Sequence, residues 1–372
     1  MSETRDLRID FLRGLALWMI FADHISGNLV RYFTYHALGF STAAEIFVFL
    51  SGVSSALLYR KLIAGAGFGA AQRRAFRRVR QIYLAYLAVA AATIVISCAS
   101  GYVYDDGYEA MIAAPVHSLL AAAALGYSPG LLGILPLYLP LVAAAPLLVV
   151  ALSRKPVLTL SLSVLLWLTA TSFGWDFPTA RPMKGWDFDP LGWQLLFVIG
   201  LFAGLHCYGE TPTVRLARGL KLLCWIVVAG NIAASVVAHS GLVFAHVPTA
   251  ATDLGRYLHT VRMQPNMHWL RLIHFLAVAY LVACYLPRDA AFLRSGWSKT
   301  IQLCGRHSLE VFSLGAVLSL LASIYIATRS HSLPTQVAVN GLGWMLMAGF
   351  ALWRSRPGRL SLPPRRVPAA GS

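Results

Sequence analysis

Residues 8–28, RIDFLRGLALWMIFADHISGN, form an apolar stretch of membrane-helix length with charged groups inside it. A bilayer core about 30 Å thick needs roughly 20 apolar residues per helix. Asp10, Arg13, Asp23 and His24 interrupt the stretch, and ionisable groups within a span cost at least about 2.5–3.5 kcal/mol each on insertion scales. The stretch therefore predicts a membrane helix whose polar side chains serve a function.

Hydrophobic segments recur along the rest of the chain. The 372 residues are 58% hydrophobic and 12% charged, whereas soluble domains carry about 25% charged residues, so an ordinary soluble protein is excluded. We predict an all-α integral membrane protein with about ten transmembrane helices. The predicted spans are 10–30, 42–59, 82–100, 130–151, 157–174, 191–207, 221–240, 269–286, 309–327 and 336–353.

Two further segments complete the predicted organisation. The Ala-rich stretch at 110–126 is bracketed by turn signals and is expected to lie at the membrane interface. Residues 1–353 then form one polytopic domain. Residues 354–372 are a basic, Pro-rich tail, a composition typical of disorder and of attraction to anionic lipid.

The net charge of +16 follows the predicted topology. With the N-terminus inside, 24 of the 31 Lys and Arg residues fall in the cytoplasmic segments. This bias fits the positive-inside rule and places both termini in the cytoplasm. Nucleic acid is therefore not needed as a partner to explain the charge. The five cysteines contain no CxxC pair, so neither a disulfide framework nor a metal site is expected.

Arg13 and His24 lie eleven residues apart in the first predicted helix. At about 100° and 1.5 Å per residue, this spacing puts both side chains on one face, roughly 16 Å apart along the axis. Asp10 falls close to the same stripe. The face predicts a polar track through the membrane, with a cation near the cytoplasmic surface and an imidazole in the outer half. Snorkelling of Arg13 to the inner headgroups is the alternative for that residue.

Glu45 lies in the first turn of the second predicted helix, which descends from the outer side. Its depth is expected to match that of His24 within one turn. A carboxylate beside an imidazole raises its basicity and fixes its tautomer, as a general base requires. Capping of the helix end is the alternative for Glu45. Ser51 and Gly52 follow about 9 Å further down the helix, where small residues permit close packing.

An arginine cluster leads into the third predicted helix. The sequence RRAFRRVRQIY at 73–83 holds five arginines within eight residues. Guanidinium groups at a helix N-terminus bind phosphates well, because they pair bidentately and the helix dipole adds to the attraction. The alternative is a topology signal that contacts lipid headgroups.

These features resemble the membrane-bound acyltransferase-3 superfamily. The R-x10-H motif of Arg13 and His24, FVFLSG at 47–52 and RRVRQIY at 77–83 carry the resemblance. Three longer stretches resemble its OpgC branch, which succinylates osmoregulated periplasmic glucans: GFSTAAEIFVFLSG (39–52), LRLIHFLAVAYL (270–281) and CGRHSLEVF (304–312).

The resemblance implies a multi-pass enzyme of the bacterial inner membrane. It implies that an acyl-CoA, a substrate rather than a resident cofactor, binds from the cytoplasm and acylates a hydroxyl of a periplasmic glucan. His24 is then the expected general base, and Ser51 is a candidate donor to the oxyanion. Asp10 and Ser51 are also candidate contacts of the acyl group. The CoA phosphates are expected at the arginine cluster, at Arg74, Arg77, Arg78 and Arg80.

Arg271 and His274 lie one turn apart near the outer end of the eighth predicted helix. If the donor is succinyl-CoA, its free carboxylate needs a cation within the membrane, and Arg271 or Arg13 can supply it. The alternatives are an interfacial anchor for Arg271 and a hydrogen-bonded interior histidine for His274. His307 and Glu310 are expected to serve as cap and packing residues.

Two other functions remain open at this stage. An acetyl-CoA-dependent O-acetyltransferase of a cell-surface sugar would use the same machinery with a different donor. A transporter or flippase would line a substrate path with the same charges, and it predicts matched Pro or Gly breaks in two inverted halves. Pro136, Pro140 and Pro146 break the fourth segment, but the second half has no counterpart.

Overall fold

The computed structural model describes most of the chain as helix. The described residues are 6–104, 106–128, 130, 132–177, 179, 186–207, 218–243, 253, 256–257, 260–261 and 265–356. Within these ranges there is no strand, which confirms the all-α class. The predicted tail at 354–372 falls almost entirely outside them.

Twelve helices of eight or more residues are described in these ranges. They are α1 (Leu7–Asp23), α2 (Ala43–Ser100), α3 (Asp106–Ala113), α4 (Pro115–Ala123), α5 (Ile134–Arg154), α6 (Pro156–Phe173), α7 (Pro190–Phe202), α8 (Arg218–Val243), α9 (Trp269–Tyr285), α10 (Gly296–Arg306), α11 (Ser308–Thr328) and α12 (Leu333–Arg354). Short 3-10 segments follow α1 at Leu29–Phe33 and Tyr35–Leu38 and precede α10 at Ala291–Arg294, and α7 continues as a π-helical turn over Ala203–Cys207.

Each predicted span overlaps a described helix, although α1 ends at Asp23 and not at residue 30 as predicted. Seven described helices are long and apolar enough to cross a membrane. These are α2, α5, α6, α7 with its π-helical turn, α8, α11 and α12. The helix α9 is apolar but has only 17 residues. The chain is therefore a multi-pass membrane protein, while the count of ten spans and the orientation of the termini stay predictions.

The longest helix, α2, contains both the second and the third predicted spans. It covers 58 residues and is broken at Gly67, whose φ of 80° and ψ of 167° are not helical. This backbone region is essentially restricted to glycine, because a Cβ atom would clash there. The break separates an apolar first part, residues 43–66, from a second part, residues 68–100, that carries the arginine cluster.

Two helix crossings hold the described core together through glycine contacts. Gly14 of α1 packs against the carbonyl of Ile301 in α10, and Gly305 of α10 packs against the backbone of Asp10. Gly52 of α2 packs against α7 at Phe197, with no space for a Cβ atom. Small residues allow helix backbones to approach closely in membranes. The predicted packing role of the small residues beside Ser51 is thus confirmed for Gly52.

The Ala-rich stretch at 110–126 falls largely in two short helices. The helix α3 has 8 residues and α4 has 9, and each is far shorter than the ~20 residues that cross a bilayer. The prediction that this stretch does not add a further span agrees with these lengths.

Candidate active site

A cavity of about 550 Å³ lies between α1, α2, α5, α10 and α11. The residues that line it come from distant parts of the chain and combine arginines, small hydroxyl side chains and apolar groups. They are Arg13, Phe47, Ser51, Ser54, Ser55, Leu58, Tyr59, Arg74, Arg77, Arg78, Gln81, Ile82, Ile134, Leu135, Tyr138, Val142, Arg306, Ser308, Leu309 and Phe312. Five of these side chains are arginines and none is a carboxylate.

Three arginines of the predicted cluster line this cavity, namely Arg74, Arg77 and Arg78. The Gly67 break separates the two parts of α2, and residues of both parts line the cavity. Arg306, at the end of α10, lines the same cavity. Arg80 is exposed and is not part of the lining. The cavity therefore gathers three of the four arginines that were predicted to bind phosphate.

Arg306 is a site residue that sequence reasoning did not single out. Its Nε atom donates to the Asp10 carboxylate at 3.2 Å, and Asp10 is buried at the start of α1. Asp10 thus helps to hold a cavity arginine, a role different from the predicted contact with the acyl group. The two residues are 296 positions apart, so their pairing depends on the packing of α1 against α10.

Arg13 lines the cavity and contacts the first part of α2. Its Nη2 atom donates to the Ser51 hydroxyl at 3.0 Å, and its guanidinium lies 5.9 Å from the centre of the Phe47 ring. Arg13 is only partly exposed. The guanidinium therefore points into the protein toward α2, which argues against snorkelling to the headgroups.

His24 terminates α1 as its C-cap residue. Its Nδ1 atom lies 2.7 Å from the carbonyl oxygen of Ile20. Because a carbonyl only accepts, Nδ1 carries the proton and Nε2 carries the lone pair. The Tyr104 hydroxyl donates to the His24 carbonyl at 2.8 Å, which further fixes this turn. The arrangement leaves Nε2 as the basic atom of the imidazole.

A second, much smaller pocket lies beside the His24 ring. Its volume is about 10 Å³, close to the minimum that one water molecule needs. The pocket is lined by Leu17, Ile20, Phe21, His24, Phe312, Gly315, Ala316, Ser319 and Met347. Phe312 of α11 lines both this pocket and the arginine-lined cavity.

The predicted polar track between Arg13 and His24 is wrong. The positions between them on this face of α1, Leu17 and Ile20 with Phe21, are apolar and line the small pocket. With Phe312 opposite them, they form an apolar constriction between the two polar ends. Arg13 and His24 each line one of the two pockets, whereas periodicity says nothing about the ring that another helix inserts.

Glu45 does not form the predicted contact with His24. Its Oε2 atom accepts from the backbone N–H of Thr42 at 2.9 Å and from the Thr42 hydroxyl at 2.8 Å, in a capping box that begins α2. Its Oε1 atom accepts from Nε and Nη2 of Arg271, both at 2.7 Å. The tautomer of His24 is fixed by Ile20 instead, and the alternative of a capping role for Glu45 is confirmed.

Arg271 and His274 lie on α9, away from both pockets. Arg271 is buried between Glu45 and the Trp193 ring, whose centre lies 5.0 Å from the guanidinium carbon. His274 Nδ1 lies 2.7 Å from the Ser41 hydroxyl. That hydroxyl is in turn 2.6 Å from the Tyr35 hydroxyl. The predicted contact of Arg271 and His274 with an acyl group is therefore not supported by the geometry.

Several further lining residues were missed by sequence reasoning. Ser54 and Ser55 follow Ser51 at the i+3 and i+4 positions, which share one helix face, so this signal was present. Tyr138 and Phe312 lie in apolar segments and offered no local signal. Among the described residues, no group of three or more His, Cys, Asp or Glu side chains could hold a metal ion.

The apolar helices and the cation-lined cavity define a multi-pass helical membrane protein whose cavity suits an anionic ligand. The comparison with known families is more specific. The OpgC protein family matches residues 5–358, and the chain belongs to that family. Membership implies an acyltransferase role in glucan modification. No curated protein and no solved structure matches the chain.

Proposed function

We propose that the protein transfers an acyl group, namely succinyl, from cytoplasmic acyl-CoA to a hydroxyl of a periplasmic glucan. The proposal rests on one observation. Phe312 lines both the cavity with five arginines and the small pocket beside His24. One end of this path is suited to phosphates and the other end offers a base. Arg13, which lines the cavity, and His24 are separated along the axis of α1 by roughly 16 Å.

The arginines at the wide end bind the CoA phosphates. Guanidinium pairs phosphate oxygens bidentately, and the absence of a carboxylate from the lining leaves the local charge positive. Arg74, Arg77 and Arg78 come from α2 and Arg306 from α10, so the phosphates bridge two elements. Family membership and the positive-inside charge bias support a cytoplasmic position for this end.

His24 acts as the general base for the acceptor hydroxyl. Its Nε2 atom takes the hydroxyl proton while the acceptor oxygen attacks the thioester carbonyl. The C–S bond of the tetrahedral adduct then breaks. His24 returns its proton to the sulfur, so CoA leaves as the thiol. The thioester reaches His24 only when the Phe312 ring moves aside, because that ring separates the two pockets. This barrier keeps the thioester apart from His24 until transfer.

The decisive experiment compares His24→Ala with the wild-type protein in detergent. A positioned general base contributes roughly 10²–10⁴-fold to rate, so we expect succinyl transfer to a glucan acceptor to fall by about that factor. Binding of succinyl-CoA is expected to stay unchanged, since His24 is not part of the larger cavity. Rate and affinity are measured on the same preparation.

His117→Ala is the matched control, because His117 is exposed on α4. Its transfer rate should equal that of the wild type. Near-normal transfer by His24→Ala would exclude His24 as the base. A wild-type protein that binds no CoA thioester at all would exclude the acyltransferase itself.

A further inference from the structure

The Tyr138 side chain stands out at the inner end of the cavity. It lies on α5 and is only 5% exposed. Its hydroxyl is buried and forms no hydrogen bond of good geometry with the described residues, although it interacts with the Ser51 hydroxyl and with the Arg13 guanidinium. The ring packs edge-on against Phe47, with 5.9 Å between the ring centres. Native proteins rarely leave a buried hydroxyl without a partner.

Three hydrogen-bond donors surround this end of the cavity. Ser51 accepts a hydrogen bond from Arg13, so its own proton can be donated into the cavity. The Tyr138 hydroxyl can donate there as well. The Arg13 guanidinium adds positive charge. Two hydroxyl donors beside a cation match the acceptor pattern of a carboxylate, which has two oxygens and about four lone-pair sites.

We propose that Tyr138 determines the donor specificity by binding, with Arg13 and Ser51, the terminal carboxylate of a dicarboxylic acyl thioester. The inference rests on the proposed acyl-CoA function. These three residues line the same cavity as the arginines that bind the phosphates, so the far end of the acyl group binds here before transfer. Arg271, the other buried arginine considered for this carboxylate, is held by Glu45 and lies outside the cavity.

A carboxylate explains the site better than the thioester carbonyl does. The reacting carbonyl must come close to His24, roughly 16 Å along α1 from Arg13. An oxygen bound by Tyr138 before transfer is therefore not the reacting one. Recognition and reaction are separate events at the two sides of Phe312, and selection of the acyl group precedes its transfer.

The test measures the affinity of the full-length protein in detergent for succinyl-CoA, butyryl-CoA and CoA. Butyryl-CoA has the same chain length as succinyl-CoA but no charge at its end. For Tyr138→Phe we expect the affinity for succinyl-CoA to fall roughly tenfold, as for a lost hydrogen bond to a charged group. The affinities for butyryl-CoA and for CoA are expected to stay at the wild-type values.

Stability provides a second readout for the same variant. Because the Tyr138 hydroxyl forms no protein hydrogen bond of good geometry, Tyr138→Phe should change the Tm little. Tyr83→Phe is the matched control, since it removes a hydroxyl that donates to the Ala123 carbonyl at 2.6 Å and does not line the cavity. That control should bind all three ligands as the wild type does.

The outcomes separate this inference from the proposed function. An equal loss for succinyl-CoA and butyryl-CoA would assign Tyr138 to the thioester carbonyl and overturn the inference. Unchanged binding of succinyl-CoA by Tyr138→Phe would overturn it as well. In both cases tight binding of CoA leaves the acyltransferase function standing. Failure of the wild-type protein to bind CoA would overturn the proposed function.

Discussion

At the scale of single residues, buried charge is handled in two ways. Glu45 and Arg271 are both buried, with side-chain exposures of 0% and 4%, and they neutralise each other. A buried pair is weak evidence for stability, but loss of one partner leaves an uncompensated charge in a medium that solvates it poorly. Arg13, by contrast, faces a cavity that is open to a ligand. The first kind of site fixes helix packing and the second is available for binding.

Replacement of Glu45 by Gln tests this assignment. The amide keeps the shape of the carboxylate but cannot neutralise Arg271, so Glu45→Gln should lower the free energy of unfolding by about 3–5 kcal/mol. Denaturant titration in detergent measures the change. Asp253→Asn, which breaks the exposed pair with Arg256, should cost less than about 1 kcal/mol. Full stability of Glu45→Gln with loss of transfer would instead return Glu45 to a catalytic role.

At the scale of elements, α2 carries residues of both proposed binding sites, the one for the acyl group and the one for the phosphates. Its first part carries Ser51 at the inner end of the cavity, and its second part carries the arginines at the wide end. The two parts meet at Gly67, which adopts a non-helical conformation that other residues rarely reach. The angle at this glycine therefore sets the distance between the phosphate site and the acyl site.

Gly67→Ala is expected to lower the affinity for the acyl donor, although it adds only one methyl group. The Cβ atom forces the backbone out of its observed conformation, at a cost of about 1–3 kcal/mol, and displaces the arginines from the first part of α2. The affinity for CoA, measured by titration, should fall. Gly65→Ala is the control, because a Cβ atom there meets nothing within 4 Å. If both variants bind CoA equally, the break does not position the cavity.

Local and long-range features differ in how far the sequence predicts them. An apolar run of about 20 residues is a local property, so each of the ten predicted segments overlaps a helix. The arginine cluster was likewise visible as a run. The partners of Glu45 and Asp10 lie 226 and 296 positions away, and only the packing of helices selects them. Tyr138 and Phe312 were missed because an aromatic residue in an apolar span looks the same in a core and beside a cavity.

At the scale of the whole molecule, the proposed function depends on orientation. The cavity with the arginines must open to the cytoplasm, where acyl-CoA is found, and the His24 side must face the acceptor. The sequence predicts this from the distribution of 31 Lys and Arg residues, since cytoplasmic loops hold the excess of positive charge. Two exposed cations at opposite predicted sides offer matched positions for a test. Lys155 lies between α5 and α6, and Arg329 ends α11.

We expect single cysteines at these two positions to react from opposite sides of the membrane. The parent protein first has Cys98, Cys207 and Cys284 changed to Ser, which leaves only the two buried cysteines. In intact spheroplasts, a membrane-impermeant maleimide should label Arg329→Cys and leave Lys155→Cys unlabelled. Permeabilisation should expose Lys155→Cys, and the parent should stay unlabelled throughout. The reverse pattern would place the arginine cavity outside the cell, where no acyl-CoA is available, and would thereby remove the physical basis for transfer across the membrane.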